Sequence, residues 1–282
     1  MIQSPAKSMK MSYLKVKKRL KQQVKTLVGR IFRFGPEYTF TPAPSIQKQS
    51  ISFRYRGRVL LIEADHSTPL YETVAEVVDY DCYQLSQVQF SDRSEGVVLD
   101  IGAHIGVATV VLAQLHHGRI ICFEPVTRNC EFLALNLRSN NVTKTEVIPA
   151  AVMGADGCTI FEVDPNVSVV GHAGHVIKGD PLAFTQKLQV KTISLASALL
   201  SCTGAHVELM KMDCEGGEYA IVEQITPDLA RRIRNITMEV HDLDRNRNVS
   251  TLSGRLKSLG YRLLYKKELL SRPGLHHLLA SR

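Results

Sequence analysis

The 282-residue sequence contains no apolar run of 18 residues, so no transmembrane helix is expected. None of its six cysteines (82, 122, 130, 158, 202 and 214) forms a C-x-x-C pair, and several fall in apparent strands or helices. They read as reduced, structural thiols. The N-terminus lacks both an uninterrupted apolar core and a small-residue cleavage site, so no secretory signal is expected and the chain reads as cytoplasmic. Acidic residues are missing from positions 1–35, which carry ten Lys and Arg. The net charge of +8 therefore belongs to this arm, because the remainder has 25 basic against 27 acidic residues, or −2.

Within the arm, Tyr13, Val16, Leu20, Val24, Leu27, Val28 and Ile31 recur at steps of three and four and leave the lysines off the stripe. This is the pattern of an amphipathic basic helix over 10–33. Its stripe suits packing on the domain. The alternative is a peripheral role in which residues 7–33 meet an anionic membrane surface, an acidic partner or nucleic acid. A proline-bearing stretch from Gly35 to Pro44 reads as a linker. After it, Ile51–Ile62 alternates around Gly57 as a hairpin, and 71–83 reads as a helix. Residues 36–95 are thus a linker and cap in front of a main domain over 96–282. Tyr71, Glu72, Asp79, Asp81 and Tyr83 are polar cap groups that could face a substrate.

The main domain opens with Val97–Ile101, an apolar run suited to a strand buried on both faces, followed by Gly102, Ala103, His104 and Gly106 and then a helical apolar pattern from Val107. Strand, glycine loop and helix make a nucleotide-binding opening, with free N–H groups at the helix start. A G-x-G-x-x-G dinucleotide fingerprint is absent, and Asp100 directly before the loop would repel a pyrophosphate. Arg119–Glu124 reads as the next strand and ends in a carboxylate 24 residues after Asp100, placed to accept ribose hydroxyls. A loop acid, glycines and a ribose acid fit S-adenosylmethionine better than a nicotinamide cofactor.

Further strands are expected at Lys144–Pro149, with Ala151 and Val152 flanking an adenine, and at Thr159–Val163. The aperiodic stretch Asp164–Gln189 reads as a functional loop. Its His172 and His175 have no third ligand in sequence, so no metal is assigned to them. The strand His206–Asp213 runs into a turn in which Asp213, Glu215 and Glu218 surround Gly216 and Gly217. Asp213 is expected beside Gly102, because the first and fourth strands are neighbours at the switch point. Glu215 and Glu218 have a plainer reading as acids at a helix start. Strand Arg234–His241 puts Glu239 and His241 on one face, and two last strands, Tyr261–Tyr265 and Leu275–Ala280, pair antiparallel at the sheet edge.

Val-Leu-Asp100-Ile-Gly-Ala-His-Ile-Gly106, Phe-Glu124-Pro125, the Lys-x-Asp-x-Glu-Gly-x-Glu run over Lys211–Glu218, and Met-Glu239-Val-His241 together resemble the FkbM family of S-adenosylmethionine-dependent methyltransferases, across roughly residues 95–266. The resemblance implies an α/β, doubly wound Rossmann-like class I sheet, mostly parallel with an antiparallel edge strand. It also implies methyl transfer to a hydroxyl of a sugar, glycan or natural-product acceptor. His104 stands where asparagine is usual, and Ala196 where an aspartate is common. On this reading His241 is the base, oriented by Glu215 or Glu239, with Lys211 and Glu218 supporting the cleft. Asp100, Gly102, Ala103, His104, Gly106, Glu124, Pro125, Ala151, Val152 and Asp213 hold the cofactor. A divalent metal on Asp213, Glu215 and His241 is the less favoured mechanism. RNA methylation through the basic arm, and a non-catalytic cofactor-binding scaffold, are the rival functions. Against the first, no Asn-Pro-Pro-Tyr-type tetrapeptide is present.

Overall fold

The computed structural model describes residues 39–42, 48–91, 96–163, 186–202, 206–268 and 273–282, all within the unit Tyr38–Arg282; the expected basic helix and the pair His172 and His175 lie outside the described residues. β1 (Thr39–Pro42), β2 (Lys48–Tyr55) and β3 (Arg58–Asp65) form a small antiparallel sheet. Part of the stretch read as linker is therefore an edge strand, where Pro42 has no second neighbour to donate to. Arg56 and Gly57 both take positive φ, 47° and 81°, which gives the expected hairpin a turn matched to strand twist. Ile51, Phe53, Leu60 and Ile62 point inward and are buried. α1 (Leu70–Val78) follows and buries Leu70, Val74, Ala75 and Val77. It stops five residues short of expectation, at a segment in which Asp81 and Gln84 adopt positive φ and the Asp81 carboxylate accepts the N–H groups of Leu85 and Ser86.

The rest of the chain runs β4 (Val97–Ile101), α2 (Val107–Leu115), β5 (Arg119–Phe123), α3 (Thr127–Ser139), β6 (Thr145–Ile148), β7 (Ala151–Met153), β8 (Gly157–Val163), β9 (Gln186–Ser194), α4 (Leu195–Leu200), β10 (Val207–Met212), α5 (Glu218–Glu223), α6 (Pro227–Arg232), β11 (Ile233–His241), α7 (Val249–Ser258), β12 (Arg262–Glu268) and β13 (Leu275–Ser281). Seven of these strands form one sheet in the order β12-β13-β11-β10-β4-β5-β6. β4, β5, β6, β10 and β11 pair in parallel, while β13 runs against both its neighbours and lies one place in from the edge, which β12 closes. A second three-stranded sheet, β7-β9-β8, takes in Gln186–Gln189, residues read from sequence as part of the long loop.

β4 shows why the large sheet sits where it does: every residue of Val97–Ile101 is buried, with Val97, Leu99 and Ile101 facing one core and Val98 the other. The first core is covered by α4 to α7; the second takes α1, α2 and α3 together with the inner residues of β2 and β3. Burying one such aliphatic side chain stabilises by about 1.5–3 kcal/mol, so a central strand apolar on both faces resists displacement. The chain leaves β4 toward β5 on one side and meets β10 on the other. That reversal puts a crevice at the carboxyl tips of β4 and β10.

Candidate active site at the strand tips

One register row carries polar residues across this apolar sheet: Cys122 of β5 opposite Asp100 of β4, Asp100 opposite Lys211 of β10, and Lys211 opposite Thr237 of β11. All four are buried. The Lys211 ammonium lies 3.0 Å from Asp100 Oδ1 and donates to the Gly102 carbonyl at 2.8 Å, while Thr109 of α2 donates to Asp100 Oδ2 at 2.6 Å. Burial works against the charge on Lys211, but the carboxylates of Asp100 and Asp213 outweigh it and hold its pKa above the ordinary value. Removing either partner would leave the other buried and uncompensated. Asp100, expected to meet the cofactor, is instead fully enclosed, with Lys211 on one carboxylate oxygen and Thr109 on the other. It acts on the glycine loop through Lys211.

At the tips the two central strands almost touch. Gly102 has φ +76°, and a Cβ there would lie 1.7 Å from the Asp213 carbonyl oxygen, so only glycine fits. Asp213 thus stands beside Gly102 as expected, its N–H donating to the Ile101 carbonyl at 3.0 Å. Its carboxylate accepts from the Tyr83 hydroxyl at 2.5 Å. Burial pushes this acid up, but Lys211, Tyr83, His241 and His104 together bring it below the usual carboxylate range. Of the cap residues named from sequence, Tyr83 is the one that reaches this network. Tyr71 is exposed, and Asp81 is occupied by the turn after α1.

Beyond Asp213, His241 ends β11 between carboxylates: Nδ1 lies 3.2 Å from Glu218 Oε1, and Nε2 lies 3.2 Å from Glu215 Oε2 and 3.5 Å from Glu239 Oε1. Burial alone would lower its pKa, but the hydrogen bonds to Glu215 and Glu218 prevail and push it up to about 12. This setting favours the protonated ring, which makes His241 a poor acceptor for a further proton. That environment speaks against the role of base expected of His241 from the sequence. Glu218 is wholly buried, with its Oε1 against the ring. Glu239 differs from both: its side chain is 16% exposed and its Oε2 lies 3.1 Å from His277 Nε2. Burial, with Asp213 and Glu215 nearby, overcomes the pull of His277 and His241 and raises its pKa to about 7.

The glycine loop forms the third part. His104 takes φ +50° and its N–H donates to Glu124 Oε2 at 2.9 Å, while Glu124 Oε1 accepts from Val126 N–H at 2.9 Å and Asn129 at 3.2 Å. Burial raises the Glu124 pKa against these hydrogen bonds and lowers that of His104 to about 4, so the imidazole is neutral. Gly106 caps α2 at φ +89°, with Ala103 buried beneath the loop and Pro125 half-buried beyond Glu124. Ala151 and Val152, expected beside an adenine, are buried in β7; Val152 packs in the main core and Ala151 against Phe161 and Val190.

The chain matches the model of the methyltransferase FkbM domain over residues 100–263. It belongs to that family. No curated protein matches the sequence significantly. Similar solved structures include a precorrin-6y C5,15-methyltransferase from Geobacter metallireducens (13% identity over 73% of this chain and 88% of that one, TM-score 0.44). Others are an rRNA methylase from Streptococcus thermophilus (10% identity, 72% and 93% covered, TM-score 0.40) and a ribosomal protein L11 methylase from Lactobacillus delbrueckii subsp. bulgaricus (10% identity, 72% and 75% covered, TM-score 0.40). Likeness at that level says nothing of the acceptor.

As an FkbM methyltransferase the protein uses S-adenosylmethionine, and its residues fit that donor. Asp213, Glu215 and Glu239 gather carboxyl groups at the tips, which suits a sulfonium and an ammonium and opposes a pyrophosphate. Glu124 Oε2 accepts a single N–H and keeps a lone pair for a ribose hydroxyl. Among the described residues, no group of three or more His, Cys, Asp or Glu is arranged as a metal site, and no helix is long and apolar enough to cross a membrane.

Proposed function

We propose that this methyltransferase acts on a hydroxyl group of a sugar, glycan or natural-product acceptor, and that Glu239 takes the proton the hydroxyl loses. The observation that carries this reading is the state of Glu239: a partly exposed carboxylate at the carboxyl end of β11, held near pKa 7. A hydroxyl is a weak nucleophile and needs a base, and a base is most effective when its pKa lies near the working pH. His241 and His277 flank Glu239 and keep its anion tolerable in a buried setting. S-Adenosylmethionine supplies the activated methyl group on a sulfonium. Asp213 and Glu124 orient that donor at its two ends, Gly102 and Gly106 let the backbone approach it, and Lys211 fixes the loop from below. Glu215 and Glu218 hold His241 charged and still, in keeping with the demand that reacting groups be fixed within a fraction of an ångström.

The nucleic-acid alternative rests on residues 7–33, which are outside the described residues, and the acidic tips would repel a phosphate backbone. The test is to incubate the full chain with methyl-labelled S-adenosylmethionine, sugars, glycans and fractionated extract, with and without ribonuclease, and to locate the label by NMR. Label on an acceptor oxygen in a ribonuclease-resistant product supports the reading. Label on carbon, on nitrogen or on RNA defeats it.

A further inference from the structure

Among the described residues in front of the family-matched stretch, Tyr83 joins the strand-tip network, and three contacts specify its place. The Tyr83 hydroxyl donates to Asp213 Oδ2 at 2.5 Å, its ring faces the Lys211 ammonium at 4.8 Å from the centroid, and its carbonyl accepts from the Thr237 hydroxyl at 2.6 Å. Lys211 and Thr237 are adjacent in the register row described above, so Tyr83 lies across β10 and β11 with its hydroxyl directed at the crevice. The residue itself is buried, as are its neighbours Cys82 and Leu85, which anchor the segment in the core shared by α1 and α2. Nothing in the α1 pattern requires a tyrosine here: a phenylalanine would fill the same volume and keep the contact with Lys211. The hydroxyl has one partner, and that partner is the acid beside Gly102.

We propose that Tyr83 is a positioning residue of the cofactor site, whose hydroxyl holds the Asp213 carboxylate in the orientation that binds the amino-acid end of the donor. This rests on the reading of Asp213 as a cofactor-facing acid. Without the hydroxyl, Asp213 keeps Lys211 but can rotate toward it, which removes an acceptor from the crevice. A hydrogen bond to a charged group of this kind commonly changes an equilibrium by about tenfold or more. Asp213 is faced by Lys211 of β10, Cys214 beside it, Tyr83 and Cys82 from the N-terminal segment, His104 from the glycine loop, and His241 and Glu239 from β11. Only the Tyr83 contribution is lost in Tyr83→Phe, so the pH below which the donor site fails must move upward.

Calorimetry of the full chain with S-adenosylhomocysteine, across about pH 4 to 8, tests this with wild type, Tyr83→Phe, Asp213→Asn and the double variant. Tyr83→Phe is expected to weaken binding about tenfold near neutral pH and to shift the acid limb of binding to higher pH. In the Asp213→Asn background the same change is expected to alter affinity by less than about twofold. Wild-type affinity and acid limb in Tyr83→Phe, an equal loss in the Asn background, or a ligand-free melting temperature far below the wild type would each overturn the proposal. Failure of the wild type to bind defeats the donor-site reading as a whole, whereas binding unaffected by Tyr83→Phe defeats only the role of Tyr83.

Discussion

Two side chains two residues apart on one strand, Glu239 and His241, divide the acid-base work between them because their surroundings differ. His241 meets three carboxylates within 3.5 Å, which favour its cation; Glu239 meets two imidazoles and is 16% exposed. Replacing Glu239 by Gln is expected to lower kcat about 10²- to 10⁴-fold, with S-adenosylhomocysteine affinity nearly unchanged. The wild-type rate should rise as pH passes through about 7, where the Glu239 carboxyl ionises, and steady-state kinetics of Glu239→Gln should lack that limb. For His241 the consequence is in stability. Its pKa is raised from 6.5 unfolded to about 12 folded, so its stabilising contribution is complete below about pH 6.5 and fades as pH climbs toward 12. Urea midpoints of wild type and His241→Gln should therefore converge as pH increases over that window.

At the scale of elements, the tip of β4 and the body of α7 make opposite demands on glycine. Gly102 combines φ +76° with the backbone of Asp213 inside the space a Cβ would occupy, and neither strand can retreat because both are packed on two faces. Gly102→Ala is expected to destabilise by more than about 2 kcal/mol and to abolish donor binding. Gly254, inside α7, has open space where a Cβ would stand, with no atom within 4 Å, and takes ordinary helical φ. Gly254→Ala should stabilise by about 0.5–1 kcal/mol. Thermal denaturation of the two variants side by side checks both signs. Element boundaries obey the same local accounting: Thr226 accepts the Leu229 N–H and Pro227 opens α6, a start signal present in the sequence and not read from it.

For the molecule as a whole, the proposed donor site is assembled from parts far apart in the chain: the loop after β4, Glu124, and Asp213 with Tyr83 behind it. Ligand binding that draws on every layer of a fold stabilises the folded state by mass action, since the unfolded chain has no such site. S-Adenosylhomocysteine at about 100 times its Kd should add about 2.7 kcal/mol and raise the melting temperature of the full chain in a single transition. A transition in which only part of the signal moves would mean that β1–β3 and α1 unfold separately from the large sheet. The shared core of Ile51, Phe53, Leu70 and Val74 with Val98, Val110 and Leu112 argues for one cooperative unit.

The amino-acid order by itself determined the family, the donor and the main sheet, because the glycine loop, the strand-end acids at 100, 124, 213 and 239, and the apolar periods are local in sequence. It also placed Asp213 beside Gly102, since strand order in a doubly wound sheet follows from chain order. What only the tertiary structure decided are the states of those acids and bases. Asp100 is sealed behind Lys211 and Thr109, Glu215 and Glu218 raise the pKa of His241, and burial raises that of Glu239. Ala151 and Val152 are buried in β7, which β9 returns to pair with. Ionisation and burial depend on what arrives from elsewhere in the chain, and spacing along one strand carries no record of that.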